Sequence, residues 1–323
     1  MRKFLAYSLL ALVATALFIY VNNATIFAER PPGKPTLLAH RGLAQNFDRT
    51  DLKADTCTAA HMLPTNHAYL ENTIASMEAA FDVGADAIEL DIHPTTDGKF
   101  AVFHDWTLDC RTDGQGVTRR HSMQQLKSLD IGYGYTADGG KTFPLRGKGI
   151  GKMPSLDEVL TRFPDRDFLI NVKSADAQEG AMLGDRLAQL PSAQRDRLMV
   201  YGREEALAPL REKVPDVRAL SKASAKACLL RYMAYGWTGY VPDACRHTLV
   251  AVPLNVAPWV WGWPNLFLNR MEGAGSRVFV QGDYHGGWST GIDSGKDLAR
   301  LPEGYSGGVF TDRIEVIAPL VGR

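Results

Sequence analysis

Ala87-Ile88-Glu89-Leu90-Asp91-Ile92, running on through His93-Pro94-Thr95-Thr96-Asp97-Gly98 to Val102-Phe103-His104-Asp105, alternates apolar residues with carboxylates. In a strand, residues two apart share a face. Glu89 and Asp91 therefore point one way, and Ile88, Leu90 and Ile92 the other. Two neighbouring acids repel. A hard cation such as Mg²⁺ or Ca²⁺, which prefers oxygen ligands, is the usual reason to place them together. Asp97-Gly98 is a hairpin signal that turns the chain back and brings His104 toward the carboxylates. The plainer alternative is an edge strand with two solvated acids.

Upstream, Thr36-Leu37-Leu38-Ala39 reads as a short strand ending in His40-Arg41-Gly42. The polar stretch 43–70 is too long for an ordinary connection, and loops of that length are usually functional or disordered. Glu71-Asn72-Thr73 opens a helix with Ile74, Met77, Ala80 and Phe81 on one face, and Gly84 ends it. Downstream, residues 105–153 are rich in Gly, Asp and Arg and read as an excursion over one end of the fold. Ser155 is the expected N-cap of the next helix, with Glu158 as its capping-box partner. Strands then follow at 168–173, 198–201, 217–220, within 247–254, at 277–281 and at 308–312. Helices near 178–190, 204–213, 223–235 and 264–273, and a last one from 313, alternate with them.

Repeated βα units mean a parallel sheet, and eight of them predict an α/β fold of the (β/α)8 TIM-type barrel class. A doubly wound open sheet is the alternative. In a barrel the active site lies at the carboxyl ends of the strands. His40-Arg41, Glu89-Asp91, Asn171-Lys173, Gln281 and Thr311-Asp312 all fall at such ends.

Lys plus Arg equals Asp plus Glu, 36 of each in 323 residues, so the balance points to no nucleic-acid partner. The N-terminus is distinct. Arg2 and Lys3 precede an uncharged run from Phe4 to Val21, near the minimum of roughly 17 residues for a membrane span. The chain divides into a signal peptide or signal anchor over 1–28, a Pro-rich linker over 29–35, and a barrel over 36–323. The run is long for a signal peptide and no clean cleavage site follows, which favours the anchor. Either way the barrel is exported: anchored in the inner membrane facing the periplasm, or secreted. Export permits disulfides. The 4 cysteines allow three connectivities. Cys57–Cys110 and Cys228–Cys245 are the expected pairs, the first tying two loops near the site and the second closing a short loop; four buried thiols are the alternative.

Two histidines, paired carboxylates, an arginine and a lysine suit cleavage of a phosphodiester. The reaction needs a base for the incoming oxygen and an acid for the leaving one, and histidine titrates near neutrality. A cation and the fork of Arg41 can hold the phosphoryl oxygens. Trp259, Trp261 and Trp263 line a pocket or pack under a loop.

The chain resembles the glycerophosphodiester phosphodiesterase family. The resemblance is carried by Ala39-His40-Arg41-Gly42, Glu71-Asn72-Thr73, Gly84 to Asp91, Thr96-Asp97-Gly98, Phe103-His104-Asp105, Met153-Pro154-Ser155-Leu156 and Val309-Phe310-Thr311-Asp312, in the family's order. It implies a (β/α)8 barrel that hydrolyses a glycerophosphodiester to an alcohol and glycerol 3-phosphate with a divalent cation, Mg²⁺ or Ca²⁺. By the same resemblance His40 and His104 are the acid/base pair, and Glu89 and Asp91 are metal ligands. Arg41 binds phosphate, Glu71 sits beside the metal or the glycerol, and Lys173 faces the phosphate. One departure stands out: Asn171-Val172-Lys173 replaces the family's usual Glu-Ile-Lys, so Asn171 stands where the third metal ligand belongs and one ligand charge is lost. A second is Gln281-Gly282-Asp283 on a late strand, which leaves the substrate headgroup open. Alternatives are a lysophospholipase D-like or phosphoinositide phospholipase-like enzyme acting on a lysophospholipid at the membrane, or a lapsed phosphate- or lipid-binding barrel.

Overall fold

The computed structural model describes residues 2–50, 52, 56–286 and 290–323. Residues 51 and 53–55 of the long 43–70 stretch lie outside it. The strands are β1 (Thr36–His40), β2 (Ala87–Pro94), β3 (Phe100–Val102), β4 (Asp167–Val172), β5 (Leu198–Gly202), β6 (Arg218–Ser221), β7 (Leu249–Pro253), β8 (Arg277–Gln281) and β9 (Gly308–Thr311). β3 folds back antiparallel onto the end of β2 through the Asp97-Gly98 turn. The other eight run in the order β6-β5-β4-β2-β1-β9-β8-β7, and the pairs between them are parallel.

The first strand pairs with the last, Thr36–Ala39 against Gly308–Thr311, so the sheet curls into a barrel. Across the remaining seam, Thr248 Oγ1 donates to Ala219 O at 2.8 Å and Arg218 Nε donates to Gly275 O at 2.9 Å. The expected barrel is found, and the doubly wound alternative is not.

Period two decides what lies inside. Leu38, Ala87, Leu169, Met199, Leu220, Leu249 and Phe279 fill the barrel. The opposite faces, among them Leu37, Ile88, Leu90 and Ile92, pack outward against Met77, Leu183, Leu207, Phe267 and Ile317 of the surrounding helices. Two helices begin where they were expected. Thr73 caps Ile74–Asp82 in a reciprocal box with Ser76, and Ser155 caps Leu156–Arg162 with Glu158.

The two irregular stretches support each other above the carboxyl ends of the strands. Leu108, Met123, Leu126, Ile131, Tyr135 and Leu145 of the excursion share a second core with Ala59, Met62 and Leu70 of the long loop. The Cys57–Cys110 disulfide joins them. Cys228–Cys245 ties the helix Lys222–Tyr235 to the short turn after it. Both pairs are those expected.

The N-terminal helix, Arg2–Asn23, is long and apolar enough over Lys3–Asn23 to cross a membrane, and that window is unburied. Its last turn touches the barrel, where the Asn22 and Asn23 amides donate to Trp237 O at 2.8 Å.

Candidate active site

The site begins at the corner after β1. Arg41 takes a left-handed φ of 61° and Gly42 a φ of 83°. Arg41 N donates to Glu89 O at 2.9 Å, Asn72 N to Arg41 O at 3.0 Å, and Leu43 N to Ser76 O at 2.9 Å. A Cβ on Gly42 would stand 2.7 Å from Ser76 Oγ and 2.9 Å from its carbonyl, so glycine alone fits there. The corner presses the chain against the first turn of the following helix and swings the Arg41 guanidinium over β2.

Beneath it lie Glu89 and Asp91, both fully buried. Asp91 is crowded with donors. Its Oδ1 accepts from Asn171 Nδ2 at 2.8 Å and stands 3.3 Å from Lys173 Nζ. Its Oδ2 accepts from Asn72 Nδ2 at 3.0 Å and stands 3.1 Å from Arg41 Nε. Burial alone would raise this carboxyl, but Lys173 and Arg41 outweigh it and hold it well below the usual carboxylate range. Glu89 has the opposite fate. Tyr201 OH donates to Oε1 at 2.6 Å, while Oε2 is buried without a hydrogen-bond partner and lies 3.6 Å from His40 Nε2. Burial, then the Asp91 charge, push the Glu89 carboxyl up.

Each histidine is held by a carboxylate at the same ring nitrogen. Asp312 Oδ1 takes His40 Nδ1, and Asp105 Oδ1 takes His104 Nδ1 at 2.7 Å. An ionised carboxylate only accepts, so Nδ1 carries the proton and Nε2 is left for the cleft in both rings. Their titrations differ. Burial and Arg41 push His40 down, but Asp312 and Glu89 outweigh them and it ends above its ordinary value. His104 is pushed below its ordinary value by burial and then Arg41, against Asp91 and Asp105. Phe103 N donates to Asp91 O at 3.0 Å, which sets His104 beside the carboxylates.

Glu71 is strung between two arginines, with Arg41 Nη1 donating to Oε1 at 3.0 Å and Arg111 Nη1 standing 3.0 Å from Oε2. Arg111 Nε also donates to Asp105 Oδ2 at 2.9 Å. On the other side, Arg49 Nη2 donates to Asp312 Oδ2 at 2.6 Å.

The structure therefore gathers His40, Arg41, Glu71, Glu89, Asp91, His104, Asn171 and Lys173 at one mouth of the barrel. It refines three of them. The Asn171 amide turns its nitrogen toward Asp91, Lys173 pairs with Asp91, and Glu71 has both oxygens engaged by arginine. Sequence reading missed Arg111, and gave no role to Tyr201, Asn72, Asp105 or Asp312. Tyr201 had a signal: it follows Met199 by two on β5, and the register places Asp91, Asn171 and Tyr201 side by side. His93, also on the inward face, lies edge-on to Trp106, and burial pushes it down to about 4. Of the three tryptophans, Trp261 Nε1 donates to Met233 O at 2.8 Å, Trp263 stacks near Phe267 and Tyr305, and Trp259 is exposed.

Among the described residues no group of three His, Cys, Asp or Glu side chains is arranged to hold a metal ion. The local donors are two carboxylates and one amide. The orphaned Glu89 Oε2, beside a second carboxylate, nevertheless fits a cation that would neutralise it. Two imidazoles with opposed titrations, two side-chain cations at the mouth and two buried anions form a place to seat a phosphate and move protons about it.

Residues 40–197 match the model of the glycerophosphoryl diester phosphodiesterase family. A glycerophosphodiester phosphodiesterase from Caldanaerobacter subterraneus is 39% identical over 103 residues, which is 32% of this chain and 39% of that relative. The chain thus aligns with only about two fifths of that relative's length. A crystal structure of glycerophosphodiester phosphodiesterase from Agrobacterium tumefaciens superposes with a TM-score of 0.58 at 21% identity, covering 88% of this chain and 98% of that one. An Oleispira antarctica phosphodiesterase solved with the product sn-glycerol-3-phosphate gives 0.55 at 17% identity, covering 89% and 97%. At such identities the two structures speak for the barrel. The matched segment holds the β1 corner, the Glu89–Asp91 strand, His104 and the Asn171–Lys173 strand, and over residues 40–197 the chain is similar to the glycerophosphoryl diester phosphodiesterase family.

Proposed function

We propose that the protein hydrolyses a glycerophosphodiester to an alcohol and glycerol 3-phosphate, with His104 as general base and His40 as general acid. The observation that carries this is the pair of carboxylate-locked imidazoles whose titrations are driven apart across one cluster of buried acids. His104, neutral, takes the proton of the attacking oxygen through Nε2. The new P–O bond forms as the bond to the leaving alcohol breaks, and His40, charged, returns a proton to that oxygen. The nucleophile is water or the substrate's own glycerol hydroxyl; the latter gives a cyclic phosphate first. Arg41, fixed by Glu71 and Asp91, offers its fork to the phosphoryl oxygens, and Lys173 adds a second positive charge at the opening.

A divalent cation, Mg²⁺ or Ca²⁺, would be held by Glu89 and Asp91 with Asn171, and would supply Lewis-acid stabilisation of the phosphoryl charge. The relative from Oleispira antarctica, solved with sn-glycerol-3-phosphate, supports the choice of product. The N-terminal helix would hold the barrel at the membrane, on the exported side.

Turnover of glycerophosphocholine by the full chain, with and without chelator, tests this reading. His40→Ala and His104→Ala should each lose roughly 10²–10⁴-fold in kcat, and ³¹P spectra of the products distinguish direct hydrolysis from a cyclic intermediate. Binding of glycerophosphocholine without turnover in any metal would favour the lapsed, binding-only barrel.

A further inference from the structure

We propose that Arg111 is a positioning residue of this site, aligning His104 through Asp105 and Arg41 through Glu71, and that the Cys57–Cys110 disulfide clamps it in place. The proposal rests on the acid/base reading above and adds a residue to it. Arg111 is 2% exposed, and a buried guanidinium must have its donors satisfied. Nε goes to Asp105 Oδ2 at 2.9 Å. Nη1 goes to Tyr135 OH at 2.6 Å and lies 3.0 Å from Glu71 Oε2. Nη2 goes to Thr58 Oγ1.

One carboxylate would neutralise a buried arginine. Arg111 has two, and each of them touches a residue of the site. Asp105 presents its other oxygen to His104 Nδ1, and Glu71 presents its other oxygen to Arg41 Nη1. A single rigid fork thus sets the ring of the proposed base and the approach of the phosphate-binding arginine. Lysine could not span these partners. The clamp is covalent: Cys110 immediately precedes Arg111, and Cys57 immediately precedes Thr58. The disulfide therefore grips the backbone on both sides of the Thr58–Arg111 contact.

The test uses Arg111→Met and Arg111→Lys in the oxidised full chain. kcat on glycerophosphocholine should fall by about tenfold or more, since misplacement of about 1 Å costs up to about a hundredfold, and KM should rise through Arg41. The His104 ring, followed by NMR, should titrate higher than in the parent, because Asp105 no longer shares its charge with Arg111. Added to His104→Ala, Arg111→Met should cost kcat less than about threefold more, because the two act as one unit. Lysine should recover part of the loss. A folded Arg111→Met protein with kcat within about twofold of the parent and an unmoved His104 titration would overturn the proposal. So would losses that simply multiply in the double variant.

Should Arg111→Met not fold, Thr58→Val and the Cys57→Ser/Cys110→Ser pair carry the test: both should lower kcat and move the His104 titration in the same direction. Full activity with an unmoved titration in both sinks the idea. If the parent protein does not turn over glycerophosphocholine at all, the enzymatic reading fails, while the His104 titration still decides the role of Arg111.

Discussion

Asn171 shows how much one side-chain atom can settle. Its nitrogen, not its oxygen, faces Asp91, so cation binding there requires the amide to turn. Asn171→Glu would supply a third carboxylate on the same face of β4. Calorimetric titration with Mg²⁺ and Ca²⁺ should show tighter binding in that variant; equal or weaker binding would contradict the assignment of Glu89, Asp91 and Asn171 as ligands. The histidines carry a second expectation at this scale. The proposed base must be neutral and is pushed down, so activity should rise on the acid side of about 6.5, the usual histidine value. The proposed acid must be charged and is pushed up, so activity should fall on the alkaline side of it. A profile of kcat/KM against pH checks both limbs. Asp312→Asn removes the larger of the two anionic influences that raise His40, so the alkaline limb should move down in pH.

The element that most constrains the site is the corner after β1. Gly42→Ala would force a Cβ to within 3 Å of the Ser76 backbone in a left-handed conformation, and should cost about 1–3 kcal/mol, read as a lower thermal midpoint. The capped helices and alternating strands were legible because each states its own period. The stretches 43–70 and 105–153 were not, because their shape comes from packing on each other rather than from any repeat. The cysteines gave the one clue to that packing. On chain entropy, the Cys57–Cys110 link, 53 residues apart, contributes about 4 kcal/mol, and Cys228–Cys245, 17 apart, about 3 kcal/mol. Denaturant unfolding of the two paired serine variants should show the first more destabilised.

At the scale of the whole molecule, the circular strand order brings the two ends of the barrel together and sets Asp312 of the last unit against His40 of the first. The apolar N-terminal helix stands off this body over most of its length, held by its C-terminal end, where Phe18 lies edge-on to Trp237 and Asn22 and Asn23 donate to the Trp237 carbonyl. If it anchors the protein, the full chain should remain with membranes through carbonate extraction, and a chain lacking residues 2–23 should not. A mature mass that begins after residue 28 would instead identify the segment as a cleaved signal.

The sequence alone determined the strand and helix periods, the inward face of β2, the helix caps and the chemical kind of the residues at the strand ends. These are local properties: two-residue and 3.6-residue repeats, and turn chemistry, are written in neighbouring letters. Only the tertiary structure decided who partners whom. His40 meets Asp312 272 positions away, Tyr201 meets Glu89 112 away, and Arg111 meets Thr58 53 away. Those contacts fix tautomers, shift charges and aim side chains, and no local pattern encodes them, because they arise from the closure of the barrel and the packing of two irregular loops above it.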